Sequence, residues 1–198
     1  ELTKDGWELR FESILVMLAN VTAHQTEPPY DAESGAPIEA VTSVVLLDGP
    51  VTIDLLDAGE GGGVEVATVV APPGLYNALA WDLVPGADGA SMTLIGTASR
   101  GGETVAFRLS TSDAVRHRCG EYVGDARKGI LAAGGKAVLD ITFHLDHLFG
   151  RDDRPADGAM NQGALGFDPF AAGGAHSFAL AGLHLGHVGE GHCHVEAR

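Results

Sequence analysis

The chain has few basic residues and few cysteines, and both shortages restrict its function. Twelve Lys and Arg face twenty-seven Asp and Glu, which gives a formal net charge of −15. Such a surface repels the phosphates of nucleic acids and anionic lipids, and it attracts cations. We therefore expect no nucleic-acid partner.

Long hydrophobic runs are also absent from the sequence. No apolar segment approaches the roughly 20 residues that a membrane-spanning helix needs, so we expect no transmembrane segment. Glu1 rather than Met opens the chain, which is typical of a processed protein that has lost a signal segment.

The two cysteines, Cys119 and Cys193, allow two interpretations. In an acidic, Lys-poor chain with strand patterns, an even count favours one disulfide formed in an oxidising compartment. The alternative makes both residues thiolate ligands beside His192 and His194, which would favour a softer metal such as Cu(I).

Several catalytic motifs are missing as well. The sequence has no Gly-x-Ser-x-Gly elbow, no phosphate-binding glycine loop, no haem-attachment motif and no zinc-finger or metalloprotease spacing. No motif supports an enzymatic function, which makes a non-catalytic role the preferred interpretation and leaves an enzyme as an alternative.

What the chain has in abundance is short, alternating apolar segments. Eight or so β-branched or alternating runs are separated by turn formers, from Trp7–Ala19, with a bulge expected near Ser13, through Val64–Val70 to a last strand at His176–Leu185. The 198 residues can bury one core. We predict an all-β fold of antiparallel strands in a single domain over residues 1–198, with a long functional loop at about 150–175.

Six of the nine histidines lie in two short stretches. The first, Phe143–Gly150, ends an alternating strand and contains His144, Asp146 and His147. Residues three apart on a strand point to opposite faces, so the two imidazoles share a side only if the strand ends near Leu145 and the chain turns helically. The alternative is that both histidines lie on a solvated strand end.

The second stretch, at about 184–194, spaces four histidines with glycines. Short His-rich tracts are typical of metal binding, and glycine lets the backbone fold closely around an ion. Asp146 and Glu190 are candidate outer-sphere partners or substitute ligands. The candidate metal ligands are His24, His144, His147, His187 and His192.

Three parts of the chain resemble an uncharacterised family of exported bacterial proteins and lipoproteins: Trp7–Val21, the turn Pro72–Asn77, and the run from Cys119 to Cys193 with its two His motifs. The resemblance implies an immunoglobulin- or prealbumin-like β-sandwich and export to the periplasm or cell exterior, with a lipid anchor in the precursor. It implies no catalytic residues.

The residues and the resemblance together predict an exported metal-binding protein for metal acquisition, buffering or delivery. Zinc is the first candidate because it tolerates a closed tetrahedral set of imidazoles, and copper is the second. The expected partners are the ion and an outer-membrane or periplasmic metal transporter. Two alternatives stay open: a metal-dependent hydrolytic enzyme, and an adhesive or structural module whose His tract is a solvated tail.

Overall fold

The computed structural model describes residues 2–58, 62–120, 129–188 and 191–198. Two expectations from the sequence lie outside this range. They are most of the ordered loop that the sequence pattern predicts at Cys119–Asp125, and Glu190 as a partner of the metal ligands.

Short strands dominate the secondary structure, and the helices are single turns. The helices are α1 (Asp146–Phe149) and α2 (Ala159–Gly163). The strands are β1 (Glu8–Gln25), β2 (Thr42–Leu47), β3 (Val51–Asp54), β4 (Gly74–Leu75), β5 (Ala78–Leu83), β6 (Met92–Arg100), β7 (Glu103–Thr111), β8 (Val115–Gly120), β9 (Ile130–Leu131), β10 (Ile141–Phe143), β11 (Gly174–Ser177), β12 (Gly186–Val188) and β13 (His192–Ala197).

One nine-stranded sheet is built around the 18-residue strand β1. Its order is β11-β7-β6-β1-β5-β8-β13, and β2 and β3 also pair with β1. The register of β1 against β6 shifts between Phe11 and Ser13, which confirms the bulge predicted near Ser13. A bulge bends a long strand and increases its twist. The bent strand β1 pairs with β2, β3, β5 and β6 along its length.

The prediction of an all-β fold is confirmed, but antiparallel pairing throughout is not. β11 runs parallel to β7 at the edge of the large sheet. A parallel neighbour requires a long crossover, and the segment from Ser110 to Gly174 supplies it. The described residues also form two two-stranded sheets, β10-β12 and β4-β9.

Two strand predictions are wrong. Val64–Val70 forms no strand, and Val70 is fully exposed. The expected last strand at His176–Leu185 ends at Ser177, and the chain then continues irregularly before forming β12 and β13. After Ser177 the backbone is irregular, but four hydrophobic side chains of this segment are still buried in the core: Phe178, Leu180, Leu183 and Leu185.

The core lies on one face of the large sheet, and the small sheet β10-β12 packs over it. Trp81 of β5 is fully buried and meets Phe143 of β10 at a centroid distance of 5.4 Å. No helix within the described residues is long and apolar enough to cross a membrane.

The segment between α1 and β11 is anchored by contacts with Trp7 and Arg100. It contains α2 and one 3-10 turn at Asp168–Phe170. Trp7 Nε1 donates to Asp168 Oδ1 at 2.9 Å, and Arg100 pairs with the same carboxylate oxygen at 2.7 Å. These contacts fix the loop that follows the first His stretch.

Candidate metal centre

A strand-to-helix turn places the first two histidines on one side of the backbone. β10 ends at Phe143, His144 N–H donates to Leu185 O at 2.7 Å, and His147 N–H donates to His144 O at 3.1 Å. The next residues, Leu148 and Phe149, are fully buried and anchor the turn. The rings of His144 and His147 are consequently 5.5 Å apart, as the helical interpretation of this stretch predicts.

The third histidine, His187, lies on β12. His187 lies opposite Thr142 of β10, so it shares a face of that small sheet with His144, two residues further along. The approach depends on Gly186, because a Cβ there would collide with the indole of Trp81 and the imidazole of His117. Glycine thus lets β12 lie directly on the core.

The rings of His144, His147 and His187, here called the imidazole triad, are mutual neighbours. Their centroids are separated by 5.5 Å, 4.7 Å and 5.5 Å for the pairs 144–147, 144–187 and 147–187. With Zn–N bonds of about 2.0–2.1 Å and tetrahedral angles, three ligating imidazoles would have centroids about 5 Å apart. The ring spacing of the triad matches that requirement.

The donor atoms themselves are not yet in ligand positions. Across the part of the chain that the structure describes, no group of three or more His, Cys, Asp or Glu side chains is arranged to hold a metal ion. The triad therefore brings three imidazole rings next to one another without converging donor atoms.

Hydrogen bonding leaves nitrogen lone pairs available in the triad. His147 Nδ1 lies 2.7 Å from His184 O, and because a carbonyl only accepts, Nδ1 carries the proton and Nε2 keeps its lone pair. His187 Nε2 is buried and has no hydrogen-bond partner among the described residues. One buried ring nitrogen of the triad, His187 Nε2, is thus unpaired among the described residues.

Burial lowers the pKa of His187 below its ordinary value, and the neighbouring charges of His144 and His147 lower it further. A hydrogen bond to the His184 backbone acts in the opposite direction, and a smaller lowering comes from His192. The net lowering of the His187 pKa favours its neutral form, which is the protonation state that a metal requires.

Asp146 lies beside the triad and is incompletely paired. Its side chain is 21% exposed, and Oδ1 is buried without a hydrogen-bond partner in the described residues. The same oxygen lies 3.9 Å from His144 Nδ1. An unpaired buried carboxylate oxygen is costly, so this atom is a position at which a cation or a donor would be stabilised.

The two remaining sequence candidates have different placements. His192 opens β13 opposite Gly120 and is close enough for its charge to affect His187. His24 sits at the end of β1 with Nδ1 2.8 Å from Ser43 Oγ.

His24 and His192 are three strands apart in one row of the sheet, through Ala78 and Gly120. Three strand spacings amount to about 14 Å, too far for two imidazoles to share one ion. The structure brings His144, His147 and His187 together with His192 nearby, and it leaves His24 apart.

Sequence reasoning missed His117. It stacks on Trp81, with centroids 3.6 Å apart, and its pKa is lowered to about 3, mainly by burial. The charge of Asp82 raises that pKa, whereas His184 and His187 lower it. The available signal was alternation in β8, where Val115, His117 and Cys119 all face the core.

Cys119 and Cys193 form a disulfide, as predicted, and no free cysteine is present in the described residues. The interpretation of both cysteines as thiolate ligands is therefore wrong for this state. The bridge joins directly paired positions of β8 and β13, so it holds the strand that begins with His192.

Comparison with known proteins adds no family assignment: no protein-family model, curated protein or solved structure matches the chain. The resemblance to exported bacterial proteins stays an expectation based on sequence motifs.

Proposed function

We propose that this protein binds a divalent transition metal ion through the imidazole triad, with zinc as the first candidate and copper as the second. The observation that carries the proposal is the mutual spacing of the three rings, 4.7–5.5 Å between centroids. Imidazole suits zinc and copper alike, and a closed tetrahedral set favours zinc.

Binding requires rotation of the side chains rather than movement of the backbone. His144 is 41% exposed, so its ring can change rotamer at low cost. His147 is oriented by its hydrogen bond to the His184 carbonyl, the kind of contact that fixes the tautomer of a ligating histidine. Asp146 or His192 is placed to supply a fourth ligand or to orient one.

Metal acquisition, buffering or delivery outside the cytoplasm is the role we assign to this site. The disulfide and the absence of a membrane-spanning helix in the described residues are compatible with export, and the charge of −15 attracts cations. A periplasmic or extracellular location, a lipid anchor in the precursor and a metal transporter as partner belong to this proposal. The proposal also includes a sandwich-like fold in which the small sheet β10-β12 covers the large sheet.

The test is a comparison of zinc and copper binding by tag-free protein and three single variants. His144→Ala and His187→Ala should each weaken binding by more than about tenfold, since even the partners of ligating histidines contribute about 10–100-fold. His176→Ala is the matched control, because its Nε2 contacts the Gly173 carbonyl at 2.9 Å, beside Phe170.

Isothermal titration and melting temperature with and without metal provide the readouts. Equal affinities across the three variants would place the site elsewhere. No heat of binding and no change in melting temperature for either metal would reject the function.

A further inference from the structure

An open cleft adjoins the imidazole triad, and part of its lining is apolar. Its volume is ≈ 670 Å³, within the range of about 300–1,000 Å³ that is typical of small-molecule sites. Five hydrophobic side chains form the apolar wall: Leu2, Phe11, Ile14, Phe143 and Leu145.

Contacts with the core hold the aromatic part of this wall in place. The ring centroid of Phe11 lies 6.0 Å from that of Phe107 and 6.2 Å from that of Phe149. Phe143 meets Trp81 edge-on at a centroid distance of 5.4 Å. Because these core partners are buried, the wall is formed before any ligand binds, as is usual for small-molecule sites.

The rest of the cleft is polar, and a buried amide fixes its backbone. Asn161 is 4% exposed, and its Oδ1 accepts from the Arg151 N–H at 2.8 Å. Its Nδ2 donates to the carbonyls of Arg151 and Arg154 at 2.8 Å and 3.0 Å. These bonds hold the backbone from which Asp152 and Asp153 project into the lining.

Carboxylates outnumber guanidinium groups among the residues that line the cleft. Asp146, Asp152 and Asp153 are present with one arginine, Arg151. Arg151 binds Asp153 through two hydrogen bonds, of 2.9 Å and 2.7 Å, so the carboxylates of Asp146 and Asp152 are in excess. The lining therefore favours a cation over an anion, and the net charge of −15 acts in the same direction.

Asp146 has an acceptor atom that the protein leaves unused. Its Oδ1 is buried without a hydrogen-bond partner in the described residues, and His144 Nδ1, at 3.9 Å, is beyond hydrogen-bond distance. The side chain as a whole is 21% exposed, so the carboxylate can be reached from the cleft. A ligand N–H would remove the cost of the unpaired oxygen.

We propose that the cleft binds an organic ammonium ion that carries an aromatic group. The ammonium donates to Asp146, and the aromatic group packs against Phe11 and Phe143. An ammonium supplies both the donor and the positive charge that this lining lacks, and hydrogen bonds between charged groups are about twice as strong as neutral ones. Binding requires no metal ion, so the inference is independent of the proposed metal site.

Three probes separate the contribution of the charge from that of the ring, in protein treated with EDTA to remove metal. Phenethylammonium has both groups, 2-phenylethanol has the ring alone, and methylammonium has the charge alone. In calorimetric titrations, phenethylammonium should bind at least about tenfold more tightly than either of the others. The alcohol cannot make charge-assisted hydrogen bonds, and methylammonium buries no ring.

A matched pair of variants tests the place of binding. Asp152→Asn and Asp157→Asn each remove one exposed carboxylate from the segment between α1 and β11, and of the two only Asp152 lines the cleft. Affinity for phenethylammonium should fall roughly two- to fivefold in Asp152→Asn, the effect of one exposed charge, and should not change in Asp157→Asn. Asp146→Asn should cost more than about tenfold, because it weakens the hydrogen bond to the ammonium itself. Unchanged melting temperatures would show that the three variants are folded.

Several outcomes would overturn the proposal. They are no heat of binding with phenethylammonium, equal affinity for 2-phenylethanol, or equal losses in Asp152→Asn and Asp157→Asn, which would place the cation elsewhere on the acidic surface. A fourth probe, N-acetyl-lysine amide, represents a lysine side chain of a protein partner. Tighter binding of that compound than of phenethylammonium would replace the free aromatic ligand with a protein. None of these results affects the proposal of zinc binding by the triad, which is measured separately.

Discussion

The imidazole of His117 lies flat on the indole of Trp81, with ring planes within 5° and centroids 3.6 Å apart. Both side chains are buried, and Gly186 packs directly over them. This stack therefore forms the surface on which β12 rests, and it determines where His187 is placed.

The first prediction follows from the burial of His117. Its pKa is about 3 in the folded protein and about 6.5 when exposed in the unfolded chain. Between about pH 3 and 6.5 the imidazole of His117 is protonated in the unfolded chain but not in the folded protein. The free energy of unfolding therefore falls as the pH drops from about 6.5 toward 3. The loss attributable to this group is about 1.4 kcal/mol per pH unit.

The variant His117→Phe keeps an aromatic ring against Trp81 and cannot titrate. Denaturant unfolding of both proteins at pH 7, 6, 5 and 4 should show the wild type losing stability more steeply by that amount. Parallel pH profiles would show that His117 is protonated in the folded state or that the group is not buried.

A second prediction concerns Asp82, whose side chain is fully buried on the opposite face of β5. Arg116 binds both carboxylate oxygens at 2.8 Å and 3.0 Å, and Asn20 and Arg198 each bind Oδ2 at 2.6 Å. Burial alone would raise the pKa of Asp82, but these hydrogen bonds and positive charges hold it below its ordinary value.

Asp82→Ala should lower the free energy of unfolding by about 1–3 kcal/mol, because it removes the buried acceptor of four hydrogen bonds, while the arginines left behind, 35% and 40% exposed, can be solvated. Glu8→Ala is the comparison, since the Glu8–Arg10 pair is exposed at 55% and 77% and exposed pairs contribute little. Thermal unfolding at pH 7 gives both values. A cost for Asp82→Ala as small as that for Glu8→Ala would contradict a buried network.

The disulfide supports a third prediction. Cys119 and Cys193 are separated by 74 residues, and the chain-entropy model assigns about 4 kcal/mol to closing a loop of that length. Replacing both cysteines with alanine should lower stability by about that much. Zinc affinity should fall less than in His144→Ala or His187→Ala, because the three triad residues lie outside β13 and only His192 of the proposed site lies on it. Thiol titration of the unreduced wild type should find no reactive thiol.

From the sequence, a helical turn at the first His stretch was one of two interpretations, and the structure has that turn at Asp146–Phe149. Gly150 and the polar run after it favour an end to the strand near Leu145, and a helical turn then brings residues three apart to one side. The composition favoured the disulfide over two thiolate ligands, and the structure has the disulfide.

The position of His187 could not be predicted, because it depends on contacts distant in sequence. Gly186 packs on Trp81 and His117, and no periodicity near residue 186 indicates that contact. The same limitation explains the wrong strand at His176–Leu185. Alternation reports which side chains are buried, but a strand also needs a partner for its backbone.

The last prediction is the pH dependence of metal binding. An imidazole must be neutral to ligate and ordinarily titrates near pH 6.5, so protons compete with the metal as the pH falls. Because the pKa of His187 is lowered, protons compete with the metal at this ring only at more acidic pH. Zinc affinity should therefore fall steeply from pH 7 to 5.5, approaching about three decades per pH unit once all three rings are protonated in the free protein.

A carboxylate site in the loop at Arg151–Gly174 would respond differently, because Asp stays ionised down to about pH 4. Competition titrations with a zinc chelator at pH 7 and 5.5, corrected for the chelator's own protonation, distinguish the two sites. Full affinity at pH 5.5 would reject the imidazole triad and favour a hard cation such as calcium on the acidic loop. A steep loss that His187→Ala makes shallower, by removing one competing proton, would identify the triad as the site of binding.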